Sequence, residues 1–486
     1  MKRILVLVLV LLLGLGAVLV VRTLEFRSRQ PVVSAVAPEP FDSLALAGRL
    51  AGALQFPTIS YQDSSAFDAR VFDGFQRYLE DSFPRVHATL KRERVNGYGL
   101  LYEWTGSDAT LAPVVLLAHQ DVVPVEPGTE GRWTEPPFGG RITGGYVWGR
   151  GALDDKGSLL GILEAVEHLI AGGATPRRTV YLAFGYDEEV SGRRGAARIA
   201  ALLGSRNVHP QFVLDEGGML ATGMIPGMSG RVALIGIAEK GYLTVELTVR
   251  APGGHSSMPP GETAVGILAA GLARLEARQM PRAIRGSTAA MFDYLGPELP
   301  FGQRLVMANR WLFGGLLAGR FGATAYGNAM LRTTTAPTVF QAGVKENVLP
   351  SSATALVNFR ILPGDSVASV LEHVREVLHD SRIDVGMRES ASDPSVVTSV
   401  AAEPFQLLSR TIRQTIPDAV VIPWLVVGAT DSRYYAALTP DVLRFVGATV
   451  GKDDVDRVHG TDERIGVSDY VDVVRVYVQL LRNAVL

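Results

Sequence analysis

The first half of the chain contains three clusters of histidine and acidic residues, and each cluster directly follows a short apolar run. Imidazole and carboxylate groups bind metal ions and transfer protons. In an open α/β sheet, the loops at the carboxyl ends of the strands meet in one crevice. One such cluster could be an ordinary polar loop, but three in succession indicate a single site for metal binding or acid–base chemistry. The clusters are His119-Gln120-Asp121, Asp187-Glu188-Glu189 and Asp215-Glu216.

Two further segments could contribute to such a site. Residues 149–157 contain the pair Asp154-Asp155 just before a predicted helix, where aspartate is also a common N-terminal cap. His459 lies in a loop before the last predicted helix, and a loop histidine on its own is typical of a protein surface. The chain has no cysteine, so any metal ion must be held by histidine, aspartate and glutamate.

The apolar pattern predicts the elements that position these residues. Short apolar runs alternate with helical stretches from about residue 43 to residue 243, which is typical of a sheet covered by helices on both faces. The stretch from about residue 394 to the end repeats this pattern, so we expect it to return to the same layers. The predicted strands are 114–118, 179–186, 212–214 and 442–446, and the predicted helices are 158–170, 195–203, 404–416 and 467–486.

The middle of the chain has a different pattern. Residues 242–392 combine alternating strand patterns with two helical patterns, which predicts a smaller α+β domain inserted into the larger one. The larger domain would comprise residues 43–241 and 393–486. Residues 281–332, within the insert, form a long and locally apolar segment. The predicted strands of the insert are 243–250, 355–360 and 383–388, and its predicted helices are 264–278 and 367–379.

The N-terminus predicts a membrane anchor. An unbroken apolar run from residue 4 to residue 21 follows Lys2 and Arg3, and its length is close to the minimum of about 17 residues for a bilayer-spanning helix. We expect residues 1–22 to be an uncleaved signal anchor and residues 23–42 to be a polar tether, with the body of the chain outside the cytoplasm. Cleavage near residue 38, after Ala35-Val36-Ala37, is the alternative.

Length, composition and charge indicate a globular protein with more than one core. A chain of 486 residues is too long for one ordinary core, and its hydrophobic share of 47% is that of a globular protein. The formal net charge of -2 gives no indication of a nucleic-acid partner.

Several sequence blocks together resemble a known family. In their order along the chain they resemble the co-catalytic zinc peptidases and aminoacylases, which include carboxypeptidase S, bacterial glutamate carboxypeptidase, carnosinases and succinyl-diaminopimelate desuccinylase. The resemblance is closest to the branch of carboxypeptidase S and the secreted N-acyl-amino-acid synthase/hydrolases. It implies an α/β fold with a mixed sheet wrapped by helices and an inserted α+β lid or dimerisation domain. The blocks are residues 118–124, 149–157, 187–192, 214–218, 253–257, 347–350 and 459–460.

The resemblance implies two zinc ions per chain. Asp154 would bridge both ions. His119 and Asp215 would complete one site. Glu189 and His459 would complete the other. Each ion would then have three protein ligands and an open position, which is typical of a catalytic zinc site.

The same resemblance assigns residues to the reaction. Glu188 would be the general base that takes a proton from water and passes it to the leaving amine. Asp121 would accept a hydrogen bond from the far ring nitrogen of His119. His255 would donate to the carbonyl oxygen as negative charge develops on it. In many family members this histidine comes from a second subunit, which implies a two-fold homodimer, although other members are monomeric.

On the substrate side, the resemblance implies that Asn347 and Arg360 contact the substrate. The planar guanidinium of Arg360 suits a terminal carboxylate, and an arginine on an exposed strand face is the alternative interpretation. Residues 428–433 resemble a further substrate loop of the family.

We therefore expect a membrane-anchored zinc hydrolase, outside the cytoplasm, that cuts the amide bond of a peptide or an N-acyl amino acid beside a free carboxylate. A catalytically silent binding protein on the same fold is the alternative, and the intact ligand set argues against it. Within the enzyme class, dipeptides and fatty-acyl amino acids both remain open as substrates. The apolar residues 305–317 could hold an acyl chain, belong to a core or lie on a membrane surface.

Overall fold

The structure, a computed structural model, describes residues 1–389 and 391–486. The helices are α1 (Lys2–Glu25), α2 (Ser43–Leu54), α3 (Ala69–Ser82), α4 (Pro84–Thr89), α5 (Lys156–Ala171), α6 (Ala196–Ser205), α7 (Ala264–Ala277), α8 (Gly286–Leu295), α9 (Phe301–Ala308), α10 (Arg310–Phe321), α11 (Ala325–Leu331), α12 (Val367–Leu378), α13 (Glu403–Thr415) and α14 (Val467–Val485). The strands are β1 (Lys91–Val95), β2 (Gly99–Trp104), β3 (Val114–His119), β4 (Arg141–Thr143), β5 (Tyr146–Trp148), β6 (Val180–Gly185), β7 (Phe212–Asp215), β8 (Leu220–Thr222), β9 (Val232–Glu239), β10 (Gly241–Arg250), β11 (Gly254–His255), β12 (Thr334–Ala342), β13 (Val348–Leu349), β14 (Ser352–Ile361), β15 (Ile383–Met387), β16 (Val420–Val426), β17 (Val442–Arg444), β18 (Thr449–Gly451) and β19 (Arg464–Gly466).

A large mixed sheet forms the body of the molecule, as the sequence predicts. Its strands lie in the order β1-β2-β6-β3-β7-β17-β9-β8-β18, and β16 also pairs with β9. β3 lies between β6 and β7 and runs parallel to both. Its side chains are all buried, which is typical of a parallel strand covered on both faces. The carboxyl ends of the three strands therefore meet at one edge of the sheet, where the three acidic clusters follow them.

Helices cover both faces of this sheet. Along β3, Leu116 belongs to the core that also contains residues of α2, α5 and α14. Its neighbours Val115 and Leu117 belong to a separate core that contains Ile199 of α6. Successive side chains of a strand point to opposite faces, so the two cores lie on opposite sides of the sheet. The helices predicted at 158–170, 195–203, 404–416 and 467–486 are confirmed as α5, α6, α13 and α14.

The inserted domain is built on a second, antiparallel sheet. Its strand order is β12-β14-β10-β15. Every second side chain of β14 is buried, and these side chains form a separate core with α7 and α12. α12 begins with a capping box between Ser366 and Ser369. Lys240 connects β9 of the body to β10 of the insert. Tyr242 and Ser392 form an antiparallel backbone bridge at the point where the chain passes from the insert back to the body.

The apolar segment at 281–332 differs from its predicted place in the inserted domain. Met291 and Phe292 of α8 and Met330 of α11 join the core of the body, and α8 lies against β16. This segment interrupts the insert in sequence, and apolar content alone does not show which core a helix joins. α9 and α10, which lie between these buried helices, contain no fully buried side chain.

The N-terminal helix α1 projects from the body. Its side chains are largely exposed, with Thr23 the buried one. In the described part of the chain, α1 is the one helix long and apolar enough to cross a membrane. The segment that follows lies along the body, because Gln30 exchanges two hydrogen bonds with the backbone of Val421 and Val36 donates to the carbonyl of Gln414.

Candidate metal centre

His119 is the last residue of β3 and is buried at the edge of the sheet. Its Nδ1 lies 2.9 Å from the carbonyl oxygen of Asp121 and 3.3 Å from the carboxylate of the same residue. Its Nε2 faces the other way, 2.9 Å from Asp154 Oδ1 and 3.4 Å from Glu216 Oε1. Burial lowers the pKa of His119, but the hydrogen bonds to these carboxylates together raise it well above its ordinary value. The contacts at Nδ1 fix the ring so that Nε2 is the nitrogen available to a metal ion.

Asp154 lies between two histidines. Its Oδ1 faces His119, while its Oδ2 is 3.0 Å from Nε2 of His459. Glu189 Oε2 lies 3.2 Å from the same nitrogen of His459. The potential ligand atoms therefore form two groups that share Asp154, and within each group they lie within 4.8 Å of one another. The first group is His119, Asp154 and Glu216, and the second is Asp154, Glu189 and His459.

Burial and charge pairing together set the pKa values in both groups. Burial raises the pKa of Asp154, but its hydrogen bonds to the two histidines outweigh this effect and hold the pKa well below the ordinary value. Hydrogen bonds to Asp154 and Glu189 raise the pKa of His459 to about 10. Burial, with the nearby charge of Asp154, raises the pKa of Glu216 to about 8. The imidazoles thus neutralise only part of a cluster that is rich in carboxylates.

The structure places Glu216 in the first group, where the sequence analysis had placed Asp215. Asp215 is the last residue of β7, and its Oδ2 accepts a hydrogen bond from the N–H of Ser432 at 2.8 Å. Adjacent side chains on an extended backbone point in opposite directions, so only one of the two acids can face His119. The resemblance implied Asp215 as the ligand, and β7 ends at Asp215, one residue beyond its predicted end.

Asp121 links His119 to the turn that carries the two glutamates. Its carboxylate oxygens accept the backbone N–H groups of Glu188 and Glu189, each at 3.2 Å. The hydroxyl of Ser60 donates to the same carboxylate at 2.6 Å. Ser60 was not singled out from the sequence, where a serine before a loop carries no distinguishing signal. Asp121 therefore positions both the imidazole and the adjacent acidic turn.

Glu188 lies beside the two groups and belongs to neither. Burial raises its pKa well above the ordinary value of a glutamate, and the carboxylates of Asp431, Glu216 and Glu189 raise it further against the opposing effect of His119. A carboxylate with raised proton affinity next to a ligand cluster is suited to general-base chemistry.

A buried ion pair connects the loops of Asp154 and His459. Glu463 accepts a hydrogen bond from Arg150 at 2.6 Å and three more from backbone N–H groups of residues 151–154, at 2.9 to 3.1 Å. Arg150 also donates to the carbonyl of His459 at 3.0 Å. Glu463 was not singled out from the sequence, because an acid in a polar loop is commonplace. It fixes the backbone on both sides of the second group.

Among the described residues, two arginines near the site have no carboxylate partner within salt-bridge distance. Arg360 lies on β14 with its guanidinium 4.9 Å from the ring centre of Tyr242, and Arg433 donates to the carbonyl of Ser191 at 2.6 Å. Burial lowers the pKa of Arg360, and the like charge of Arg433 lowers it further. Burial also lowers the pKa of Arg433, but neighbouring acidic groups that include Glu188 raise it overall. Both guanidinium groups are cations that could pair with a ligand carboxylate.

His255 and Asn347 lie together on the insert. His255 pairs with Val348 across the ribbon of β11 and β13, and its Nδ1 lies 2.7 Å from the hydroxyl of Ser257. Both His255 and Asn347 are exposed. Within residues 1–389 and 391–486, the structure does not bring either side chain into contact with the two ligand groups.

The donor set fits divalent metal ions. Each group offers three oxygen or nitrogen ligands, and Glu189 Oε1 is buried without a hydrogen-bond partner among the described residues. A cation would satisfy this oxygen and balance the surplus of carboxylates. Two ligand groups that share one carboxylate, at the carboxyl edge of a mixed α/β sheet, are typical of the two-metal class of hydrolytic sites.

Comparison with known proteins gives the family. Residues 115–483 match the model of peptidase family M20/M25/M40. Over 480 residues, the chain is 40% identical to the probable carboxypeptidase S-like 2 of Dictyostelium discoideum, covering 97% of this chain and 92% of the relative. Over 449 residues, it is 39% identical to the N-fatty-acyl-amino acid synthase/hydrolase PM20D1 of Homo sapiens, covering 91% and 88%. Over 486 residues, it is 30% identical to carboxypeptidase S of Saccharomyces cerevisiae, covering 90% and 83%.

Solved structures share the fold. The M20 family metallo-carboxypeptidase Sso-CP2 of Sulfolobus solfataricus superposes with a TM-score of 0.64 at 19% identity, covering 91% of this chain and 99% of that one. Human carnosine dipeptidase 1 gives a TM-score of 0.61 at 15% identity, covering 91% and 96%. The chain belongs to peptidase family M20/M25/M40, a family of peptidase-type hydrolases that generally bind metal ions. The predicted family and branch are thereby confirmed.

Proposed function

We propose that this protein is a two-zinc hydrolase that cleaves the amide bond of an N-acyl amino acid or a peptide beside the free carboxylate. The observation that carries the proposal is the position of Asp154, whose two carboxylate oxygens face two different histidines. One carboxylate shared by two ligand groups would provide each ion with three protein ligands and would leave room for reactants.

The two ligand groups would hold the two ions. His119, Asp154 and Glu216 would bind the first, and Asp154, Glu189 and His459 would bind the second. When bound, the pair would polarise the amide carbonyl and lower the pKa of a water molecule. Zinc is favoured because three-ligand groups of histidine and carboxylate are typical of catalytic zinc.

Glu188 would be the general base of the reaction. Asp121 fixes the backbone of this residue through the N–H of Glu188, so its carboxylate is held beside the ligand groups. It would take a proton from the attacking water and give it to the amine nitrogen as the C–N bond breaks. The presence of this base is the reason to favour an enzyme over a silent binding protein.

Arg360 and Arg433 would bind the free carboxylate of the substrate. The charge of Arg433 lowers the pKa of Arg360, and the carboxylate of Glu188 raises the pKa of Arg433. His255 would donate to the carbonyl oxygen, and Asn347 would contact the substrate beside it. Because both lie exposed on the insert, they would reach the substrate through movement of the insert or from a second subunit in a two-fold dimer.

The acyl group is proposed to be a fatty acyl chain. Relatives named as N-fatty-acyl-amino acid synthase/hydrolases are 39% and 41% identical to this chain. Peptides are the second class of substrate, because another relative at 40% identity is named as carboxypeptidase S-like.

We also propose that α1 is a signal anchor that holds the body outside the cytoplasm. α1 is long, apolar and exposed, and Lys2 and Arg3 at its N-terminus favour retention of that end in the cytoplasm. Membrane fractionation with protease accessibility tests this topology, and a soluble mature chain that begins near residue 38 would contradict it.

The activity is tested by hydrolysis of a panel of substrates by the full-length, zinc-loaded protein. N-acyl amino acids and dipeptides should be cleaved, and the matched N-acyl amino acid amides, which lack the free carboxylate, should be cleaved far more slowly. The rate difference should shrink in the Arg360→Ala variant, because a neutral side chain no longer distinguishes the carboxylate from the amide. Absence of any amide hydrolysis in the zinc-loaded protein would contradict the proposed function.

A further inference from the structure

We infer that α9 and α10 lie on the surface of the lipid bilayer that α1 spans, and that they hold the body flat against it. This inference rests on the proposed membrane anchor, and it adds a second lipid-facing surface, here called the α9–α10 surface (residues 301–321).

The α9–α10 surface exposes large apolar side chains in a compact stretch. Trp311 and Leu316 are 58% and 59% exposed, and Phe301 and Leu312 are 52% and 44% exposed. Neither helix contains a fully buried residue. Soluble surfaces rarely collect so many apolar groups without a partner, and a helix with exposed tryptophan and leucine is typical of an element that lies in a membrane interface.

The charge of this segment favours lipid head groups. No aspartate or glutamate occurs from residue 299 to residue 344, whereas arginines occur at positions 304, 310, 320 and 332. Arg304 bonds to Phe26 and Arg310 pairs with Asp293. The exposed Arg320, at the end of α10, can extend toward anionic head groups while its stem remains in the apolar layer.

Direct contacts join the α9–α10 surface to the end of α1. Nδ2 of Asn309, a buried residue between the two helices, lies 3.1 Å from the carbonyl oxygen of Leu19 and 3.4 Å from Oγ1 of Thr23. Arg304 donates to the carbonyl of Phe26 at 2.5 Å. The ring of Phe26 lies so close to Gly296 that a Cβ there would be 2.4 Å from it.

These contacts fix the height of the α9–α10 surface relative to the bilayer. The apolar run of α1 ends at residue 21 and is followed by Arg22, so Leu19 to Phe26 mark the level where hydrocarbon gives way to water. Because Asn309 and Arg304 bond at this level, α9 and α10 lie at the interface. The bilayer that surrounds α1 therefore also reaches the α9–α10 surface. It would cover the exposed apolar side chains of this surface without a further protein.

The absence of cysteine from the chain makes single-cysteine labelling direct. Leu316→Cys would carry an environment-sensitive fluorophore on the α9–α10 surface. Leu11→Cys, in α1, is the matched control for lipid contact. Val344→Cys is the control for exposure alone, because Val344 is apolar and 95% exposed. It is also far from the α9–α10 surface along the chain, since the nine-residue strand β12, about 30 Å long, separates it from α11.

The full-length variants are placed in phosphatidylcholine vesicles whose acyl chains carry bromine, which quenches fluorescence from within the lipid. We expect quenching at positions 316 and 11 and none at 344, with iodide in the water quenching 344 alone. The intrinsic fluorescence of the unlabelled protein should also lose a bromine-quenched component in Trp311→Phe.

The outcomes separate this inference from the anchor itself. Quenching by bromine at 11 but only by iodide at 316 would overturn the inference and leave the anchor standing. A label at 316 shielded from both quenchers would show that protein, such as a second copy of the chain, covers the surface, and would overturn it as well. No bromine quenching at either position would show that the proposed anchor has failed. Hydrolysis of a short, water-soluble N-acyl amino acid by each variant reports on the proposed activity independently of these results.

Discussion

Glu216 and Asp215 are chain neighbours with different partners. Glu216 lies 3.4 Å from Nε2 of His119, whereas Asp215 accepts the N–H of Ser432. We expect Glu216→Gln to lower the metal content of the purified protein from two ions per chain toward one, because an amide is a poor metal ligand. The matched variant Asp215→Asn should keep both ions, since an amide oxygen still accepts the same hydrogen bond. Metal analysis after dialysis checks both, and loss of an ion from Asp215→Asn alone would reverse the assignment.

Glu188 and Glu189 are a second pair that metal analysis can separate. Glu188→Gln should lower kcat by about 10²–10⁴-fold while both ions remain, because the general base is lost and no ligand is removed. Glu189→Gln should lose metal and activity together, since Glu189 faces His459 in the second group. A near-normal rate in Glu188→Gln would remove this residue from the mechanism.

At the scale of single residues, the resemblance supplied most of the cluster. The structure brings His119, Asp154, Glu189 and His459 together at the positions expected for ligands. The resemblance implied Asp215 rather than Glu216, and a block that contains two adjacent acids does not by itself show which of the two side chains faces His119.

At the scale of structural elements, hydrogen bonds to Glu463 hold the backbone of the loop that ends at Asp154. Glu463→Gln should lower the free energy of unfolding by roughly 3–5 kcal/mol, because Arg150 loses its buried charge partner and backbone donors lose acceptors. Metal content should fall as well, since Asp154 loses its support. Asp453→Asn, an exposed acid of the same region, is the control and should change the stability little. Thermal unfolding and metal analysis measure both effects, and an unchanged melting temperature in Glu463→Gln would contradict this role.

The secondary elements that could be predicted are those with a clear hydrophobic period. α5, α7, α12 and α14 and strands β3, β6 and β10 appear within a few residues of their predicted bounds. The packing of α8–α11 on the body could not be predicted, because the period of a helix shows that it has an apolar side and not which sheet covers that side. The link between Glu463 and Arg150 joins loops far apart in the chain, and no local pattern marks it.

At the scale of the whole molecule, the proposed role of His255 requires that movement of the insert or a second subunit bring it to the substrate. His255→Ala should lower kcat by about a hundredfold and leave the metal content intact, because a donor to the oxyanion is lost. If His255 acts across a dimer, mixing inactive His255→Ala with inactive Glu188→Gln should restore part of the activity, since one mixed site keeps both groups. An unchanged kcat in His255→Ala would exclude this residue, and failure to complement despite subunit exchange would exclude the arrangement across a dimer.

Asp154 is the residue on which the proposed two-metal site depends most. The decisive measurement is the zinc content of Asp154→Ala, taken together with its rate of N-acyl amino acid hydrolysis and compared with the native protein. Because its two oxygens face His119 and His459, we expect the native protein to hold two zinc ions per chain and the variant to lose both ions and its activity together. Retention of two tightly bound zinc ions in Asp154→Ala would show that Asp154 is not the shared ligand and would contradict the account.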